Sequence, residues 1–168
     1  MNRRALTVPI RAATKADLPA INDIYNHYVL HSTATYQEEP ESLDGRQAWF
    51  DRHGPAHPVT VAELDGVVVG WASLSPFHPR SAYRRTVENS VYLHPAHHRR
   101  GIGRALMLDL IARSKAAGHH TMIAGIDAEQ SASLALHAAL GFAHVARLNQ
   151  VGYKFGRWLD VVYMQLML

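Results

Sequence analysis

Residues 86–111 read as a strand, a glycine loop and a helix, and that order calls for a sheet that is at least partly parallel. Thr86 to Leu93 is rich in β-branched and aromatic side chains, which favour extended backbone, and Pro95 removes the donor that a longer strand would need. Arg99-Arg100-Gly101-Ile102-Gly103-Arg104 is basic and punctuated by glycine, and it leads into Ala105 to Ile111, apolar at helical spacing. Gly118 makes a helix end, and Thr121 to Ile126 is a short apolar run suited to a strand covered on both faces. Strand, helix, strand in this order pairs the two strands in parallel.

At a helix start the first N–H groups lack partners and the macrodipole is positive, so a glycine loop there can close around a phosphate, with Arg99, Arg100 and Arg104 adding charge. The spacing is not the dinucleotide fingerprint, because residue 106 is Leu, and it lacks the Lys-Ser/Thr ending of a P-loop. Two readings stay open on the loop alone: a pyrophosphate cradle of another kind, or a turn that uses Gly only for tightness.

The flanking chain supplies the rest of one domain, residues 1–168. Thr7 to Ala12 reads as a strand, and Thr14 with Asp17 resembles a capping box before a helix whose Leu18, Ile21, Ile24, Tyr25 and Val29 fall on one face. A second helix, Leu43 to His53, offers Trp49 and Phe50 for burial. Asp65-Gly66 between Val59–Leu64 and Val67–Leu74 marks a hairpin with a type I′ turn. Phe77 to Arg85 is basic, aromatic and irregular, a loop at a binding face. Ser131 or Ser133 opens a helix to Leu140, and Phe142–Leu148 and Leu159–Leu166 make two last strands. The class is α/β with a mixed sheet flanked by helices, in the order β-α-α-β-β-β-α-β-α-β-β.

With no cysteine in the chain, disulfides and thiolate nucleophiles are excluded. A net charge of +3 is mild, and the arginines gather at positions 80 to 104, which favours a local anionic ligand over nucleic acid. No apolar run approaches the roughly 18 to 20 residues that span a bilayer, and no apolar segment long enough for a signal peptide follows Arg3-Arg4, so a cytoplasmic protein with no membrane partner is expected. The twelve histidines show neither a helical His-x-x-x-His pair nor a cysteine partner, so no metal is expected. No Gly-x-Ser-x-Gly elbow is present for a serine hydrolase. Glu88, Ser90 and Tyr92 share one face of the central strand by the two-residue period. Glu88 is then either a buried carboxylate with raised pKa, fit to accept a proton near neutrality, or a partner of Arg80, Arg84 or Arg85.

Val91-Tyr92-Leu93-His94-Pro95 followed by Arg100-Gly101-Ile102-Gly103-Arg104-Ala105-Leu106 resembles the acetyl-CoA pyrophosphate loop of the GNAT acyltransferase superfamily. Its Gln/Arg-x-x-Gly-x-Gly/Ala pattern fits in two registers, one from Arg100 and one that puts His98 at the first position. The resemblance extends to the element order, and so implies the GNAT fold and acetyl transfer from acetyl-CoA to an amine, with no metal. It implies Glu88 as general base, and His137, where relatives often carry Tyr, as a second catalytic group acting as acid or base. It implies that backbone N–H groups of Val91, Tyr92 and Leu93 hold the thioester and pantetheine, that Arg99 to Arg104 hold the pyrophosphate, and that Gln130 and Ser133 stand at the family's Asn and small polar positions.

Within the superfamily, Ile24–His27, Thr86–Tyr92, Met122–Asp127 and above all Val151–Asp160 are similar to the phosphinothricin and methionine sulfoximine N-acetyltransferases. An acceptor of that kind carries an α-amine, a carboxylate and a tetrahedral oxygen-bearing head. Arg80 and Tyr83, with His78 in the same loop, suit its anionic groups, Tyr36 and Tyr92 its walls, and Lys154 and Arg157 a contribution from the last hairpin, across a homodimer as the family suggests. The competing readings are an acetyltransferase for peptide N-termini or other small amines, and a catalytically silent acyl-CoA sensor.

Overall fold

The computed structural model describes residues 8–168. Its elements are β1 (Ile10–Ala12), α1 (Leu18–His31), α2 (Leu43–Asp51), β2 (Val59–Leu64), β3 (Val67–Pro76), β4 (Thr86–Leu93), α3 (Ile102–Ala116), β5 (Thr121–Asp127), α4 (Ser131–Ala139), β6 (Ala143–Lys154) and β7 (Arg157–Met167), in the predicted order. Thr7, expected to open the first strand, lies outside the described residues, and Pro9, which has no N–H to give a ladder, precedes the observed start at Ile10. At the head of α1 the Asp17 carboxylate accepts the Thr14 N–H at 2.7 Å and also takes the Arg11 guanidinium, which ties β1 to the helix. No helix among the described residues is long and apolar enough to cross a membrane.

One seven-stranded sheet runs β1-β2-β3-β4-β5-β7-β6. The Asp65-Gly66 turn has positive φ at both residues, as a type I′ hairpin requires. The same device closes the last hairpin at Phe155-Gly156, so β6 and β7 run on through residues expected to be loop. Strand β4 pairs with β3 from Val87 to Leu93, but with β5 only at Thr86–Thr121, Val87–Met122 and Glu88–Ile123. Beyond Glu88 the two strands part, and the edge of β4 that faces β5 is left open.

Two apolar clusters cover the sheet. Val87, Leu106, Met107, Leu110, Met122 and Met164 pack on the α3 side, and Ile21, Ile24, Val61 and Trp71 under α1 and α2 on the other. Fully burying side chains of this size removes about 1.5–3 kcal/mol of unfavourable hydration each, so the α3 cluster is the main source of stability. Helix α2 departs from expectation: Trp49 and Phe50 are half-buried, while the residue it buries fully is Arg46.

Candidate active site

Glu88 sits at the last β4–β5 pair, where the strands separate. Gly125 on β5 makes room for it, since a Cβ there would stand 3.3 Å from Glu88 Oε1. Arg80, Arg84 and Arg85 are all exposed, and none forms the ion pair with Glu88 that was the competing expectation. Burial alone pushes its carboxyl above the ordinary Glu range. A carboxylate so placed accepts a proton more readily than a solvated one.

The open edge of β4 offers donors of fixed direction. His94 N–H is given to Val69 on β3, so by alternation the amides of Ser90 and Tyr92 also turn toward β3, while those of Val91 and Leu93 face the gap. Of the three backbone donors expected from Val91, Tyr92 and Leu93, the middle one is therefore directed away. The Tyr28 hydroxyl donates to the Leu93 carbonyl at 2.6 Å and lies 2.8 Å from His98 Nε2, so it fixes the end of the strand and the start of the loop together.

That loop turns on Arg99 and Gly101, both at positive φ, and Gly101 precedes the first residue of α3. Among the described residues the N–H groups of Ile102, Gly103 and Arg104 have no backbone partner, the first helical bond being Ala105 N–H to the Gly101 carbonyl. Ile102 and Gly103 are buried against the core, while Arg99, Arg100 and Arg104 are exposed around the same amides. Three free donors, a positive helix end and three guanidinium groups suit a diphosphate.

A scan of protein families matches residues 21–142 to the acetyltransferase (GNAT) family. The chain belongs to that family. It is 48% identical over 160 residues, 95% of this chain and 94% of the other, to an L-methionine sulfoximine/L-methionine sulfone acetyltransferase of Salmonella typhimurium. It is 43% identical over 158 residues, 93% of this chain and 80% of the other, to a phosphinothricin N-acetyltransferase of Alcaligenes faecalis. A phosphinothricin acetyltransferase of Sinorhizobium meliloti, solved with acetyl-CoA, superposes with TM-score 0.94 at 42% identity, over 97% of this chain and 89% of that one. The chain is an acetyl-CoA-dependent N-acetyltransferase, and the free amides at the head of α3 and along β4 are the groups in this fold suited to that co-substrate. No group of three His, Asp or Glu side chains converges on a metal position among the described residues.

Other expected site residues of this acetyltransferase fall in different places. His78, Arg80 and Tyr83 lie in the turn after β3, one residue pair beyond Ser75–Glu88, with the His78 and Tyr83 rings 4.7 Å apart. Tyr92 walls a cavity on the Glu88 face of β4, whereas Tyr36 is tied elsewhere, its hydroxyl donating to Asp127 Oδ2 at 2.6 Å. Gln130 donates to Thr33 Oγ1 at 3.1 Å, so its amide joins α4 to the end of α1. Ser133 stands in the first turn of α4 and gives its carbonyl to His137.

Two expectations need correction. Lys154 is 2% exposed, and its ammonium donates to the carbonyls of Ser32 and Thr35 at 2.7 Å and of Tyr28 at 3.4 Å. It caps the C-terminal end of α1 and has no free donor directed at an acceptor. His137 is 1% exposed, with Nδ1 donating to the Ser133 carbonyl at 2.8 Å and Nε2 accepting from Asn89 Nδ2 at 3.0 Å. Burial lowers its pKa, so it is a neutral imidazole with both nitrogens engaged, on the face of β4 opposite Glu88. As folded, it positions Asn89 beside the gap and has no proton free for a thiolate.

Proposed function

We propose that the chain acetylates the α-amine of a small amino acid of the phosphinothricin, methionine sulfoximine or methionine sulfone kind, by direct attack with Glu88 as general base. The observation that carries the reading is Glu88 itself: a half-buried carboxylate without an ion partner, at the point where β4 leaves β5. Glu88 takes the proton from the ammonium group, directly or through one water, and the neutral nitrogen attacks the thioester carbonyl. Collapse of the adduct breaks the C–S bond, the departing CoA thiolate taking the second proton that the nitrogen sheds as the amide forms. Val91 and Leu93 offer backbone N–H groups to the oxygen on which negative charge gathers. Arg80 and Tyr83, exposed in the turn that follows the Pro76–Val87 pair, suit the acceptor's α-carboxylate.

The relatives' printed activities support this acceptor class, and the same hairpin signature, Val151 to Asp160, supports a homodimer. On the last hairpin the side chains of Val145, Leu148, Val151, Tyr153, Phe155 and Trp158 are exposed, an apolar surface that a second copy would cover. Such an enzyme works in the cytoplasm, where its co-substrate is held.

Thiol release from acetyl-CoA, measured with phosphinothricin, methionine sulfoximine, methionine sulfone and a peptide panel, tests the reading. Turnover with the amino-acid analogues and not the peptides is expected. Glu88→Gln should lower kcat by about 10²–10⁴-fold and remove the acidic limb of the pH profile, with acetyl-CoA affinity intact. Preference for peptides would transfer the chain to the competing acetyltransferase class, and tight acetyl-CoA binding without turnover would make it a sensor.

A further inference from the structure

Arg46 is the charged side chain of α2 that points inward, and it is 3% exposed. Its Nε donates to Asn22 Oδ1 at 3.1 Å, and its guanidinium carbon lies 4.5 Å from the ring centre of Tyr25, 4.7 Å from Trp49 and 5.8 Å from Trp71. Among the described residues no carboxylate pairs with it, and neither terminal nitrogen has a hydrogen-bond partner. Glu41 acts on the guanidinium only through space, and a buried cation with no carboxylate in contact is costly to keep, the stacked rings offsetting only part of that cost.

The guanidinium lines a cavity of about 150 Å³ whose other polar walls are Gln37, Glu41, Ser73, Ser75 and Ser90, with Tyr92 beside them. Ser75 is the cross-strand partner of Glu88, and Ser73 that of Ser90. Directly opposed residues of an antiparallel pair share a face, so the cavity runs from Ser75, the residue paired with Glu88 across the strands, to Arg46. Its middle, at Ser73 and Ser90, lies two strand residues from Glu88, roughly 7 Å.

We propose that Arg46 anchors the anionic head group of the acceptor, the group at the far end of the molecule from the amine that Glu88 deprotonates. This rests on the acceptor class proposed above. An α-carboxylate is only two bonds from the amine and stays at the mouth, whereas a phosphinate, four bonds away, reaches the serine-lined middle. There two of its oxygens meet the guanidinium fork, and the aromatic faces of Tyr25, Trp49 and Trp71 hold the fork's plane and keep water from it. A sulfone has oxygens in the same places but no net charge. Arg46 therefore sets the preference between anionic and neutral head groups.

The test compares wild type, Arg46→Gln and Arg46→Lys with phosphinothricin, which has an anionic head, and methionine sulfone, which does not. Arg46→Gln should raise KM for phosphinothricin about tenfold or more and that for methionine sulfone by less than roughly threefold, with acetyl-CoA affinity unchanged. Arg46→Lys, which keeps the charge and loses the fork, should fall between, and it carries the comparison if the Gln variant does not fold. Equal rises with both acceptors would overturn the proposal, leaving Arg46 to packing or to the α-carboxylate. A second readout does not need turnover, because Trp49 and Trp71 stack on Arg46 and report on it by emission. If wild type acetylates neither acceptor, the proposed activity falls, and the titration still decides the anchor. A saturable emission change with phosphinothricin that Arg46→Gln abolishes supports it, and no change in wild type removes it.

Discussion

Replacing Lys154 by Met separates a structural lysine from a substrate-binding one. Met keeps an unbranched apolar stem of similar length in the same channel and deletes the ammonium that three carbonyls, of Tyr28, Ser32 and Thr35, now share. A hydrogen bond from a charged donor contributes about 1.5–3 kcal/mol, and a buried acceptor left without a partner costs about 1–3 kcal/mol. Against these stands the desolvation of the lysine, which lowers its pKa and which the variant no longer bears. The balance is a loss of about 3 kcal/mol. For a chain of 168 residues this corresponds to a fall in Tm of about 6–12 °C. Differential scanning calorimetry with steady-state kinetics on the same preparation checks it, and the acceptor KM should change by less than about threefold, since no donor is lost from the acceptor side. An unchanged Tm together with an acceptor KM raised about tenfold would refute the assignment and return Lys154 to the substrate site.

Three further outcomes follow from the same geometry. Gly101→Ala places a Cβ on a residue at φ +81°, which should cost about 1–2 kcal/mol and weaken acetyl-CoA binding by calorimetry while leaving acceptor selectivity unchanged. Glu88→Gln should raise Tm at alkaline pH: a carboxyl whose pKa is raised by folding opposes stability once pH exceeds its unfolded value, and the Gln variant escapes that cost. The Tm difference should shrink below the ordinary Glu pKa, and a difference independent of pH would show that burial does not act on ionisation. Trp158, 61% exposed at the end of the last hairpin, should hold the dimer, so Trp158→Asp should yield a monomer by light scattering; a monomeric wild type would end that reading.

Much of this architecture was legible because its signals are local. Asp65-Gly66 announces its own turn, Gly118 its helix end, and Glu88 its face by alternation along β4. The longer β6 and β7 were missed because Phe155-Gly156 makes the same turn with a residue that tolerates positive φ poorly, a conformation local propensity does not suggest. Lys154 was misread for a different reason: its three carbonyls lie more than a hundred residues away, and no spacing rule links them. His137 was read from the residue type at a position, whereas its role depends on which partners take its two nitrogens. Arg46 gave no signal, since a helix nine residues long with Trp49 and Phe50 on it looks buried through its aromatics.

The parting of β4 from β5 after three residue pairs makes this sheet two blades joined at a short hinge of ladder, one of four strands and one of three. A pantetheine arm lying in the slot would act as a borrowed strand, supplying from a metabolite the rungs the polypeptide omits. Rigidity across the slot would then track the cell's acetyl-CoA supply: starved enzyme should exchange the Val91 and Leu93 amide protons quickly, and saturated enzyme should hold them, gaining about 2.7 kcal/mol at a hundredfold excess over Kd.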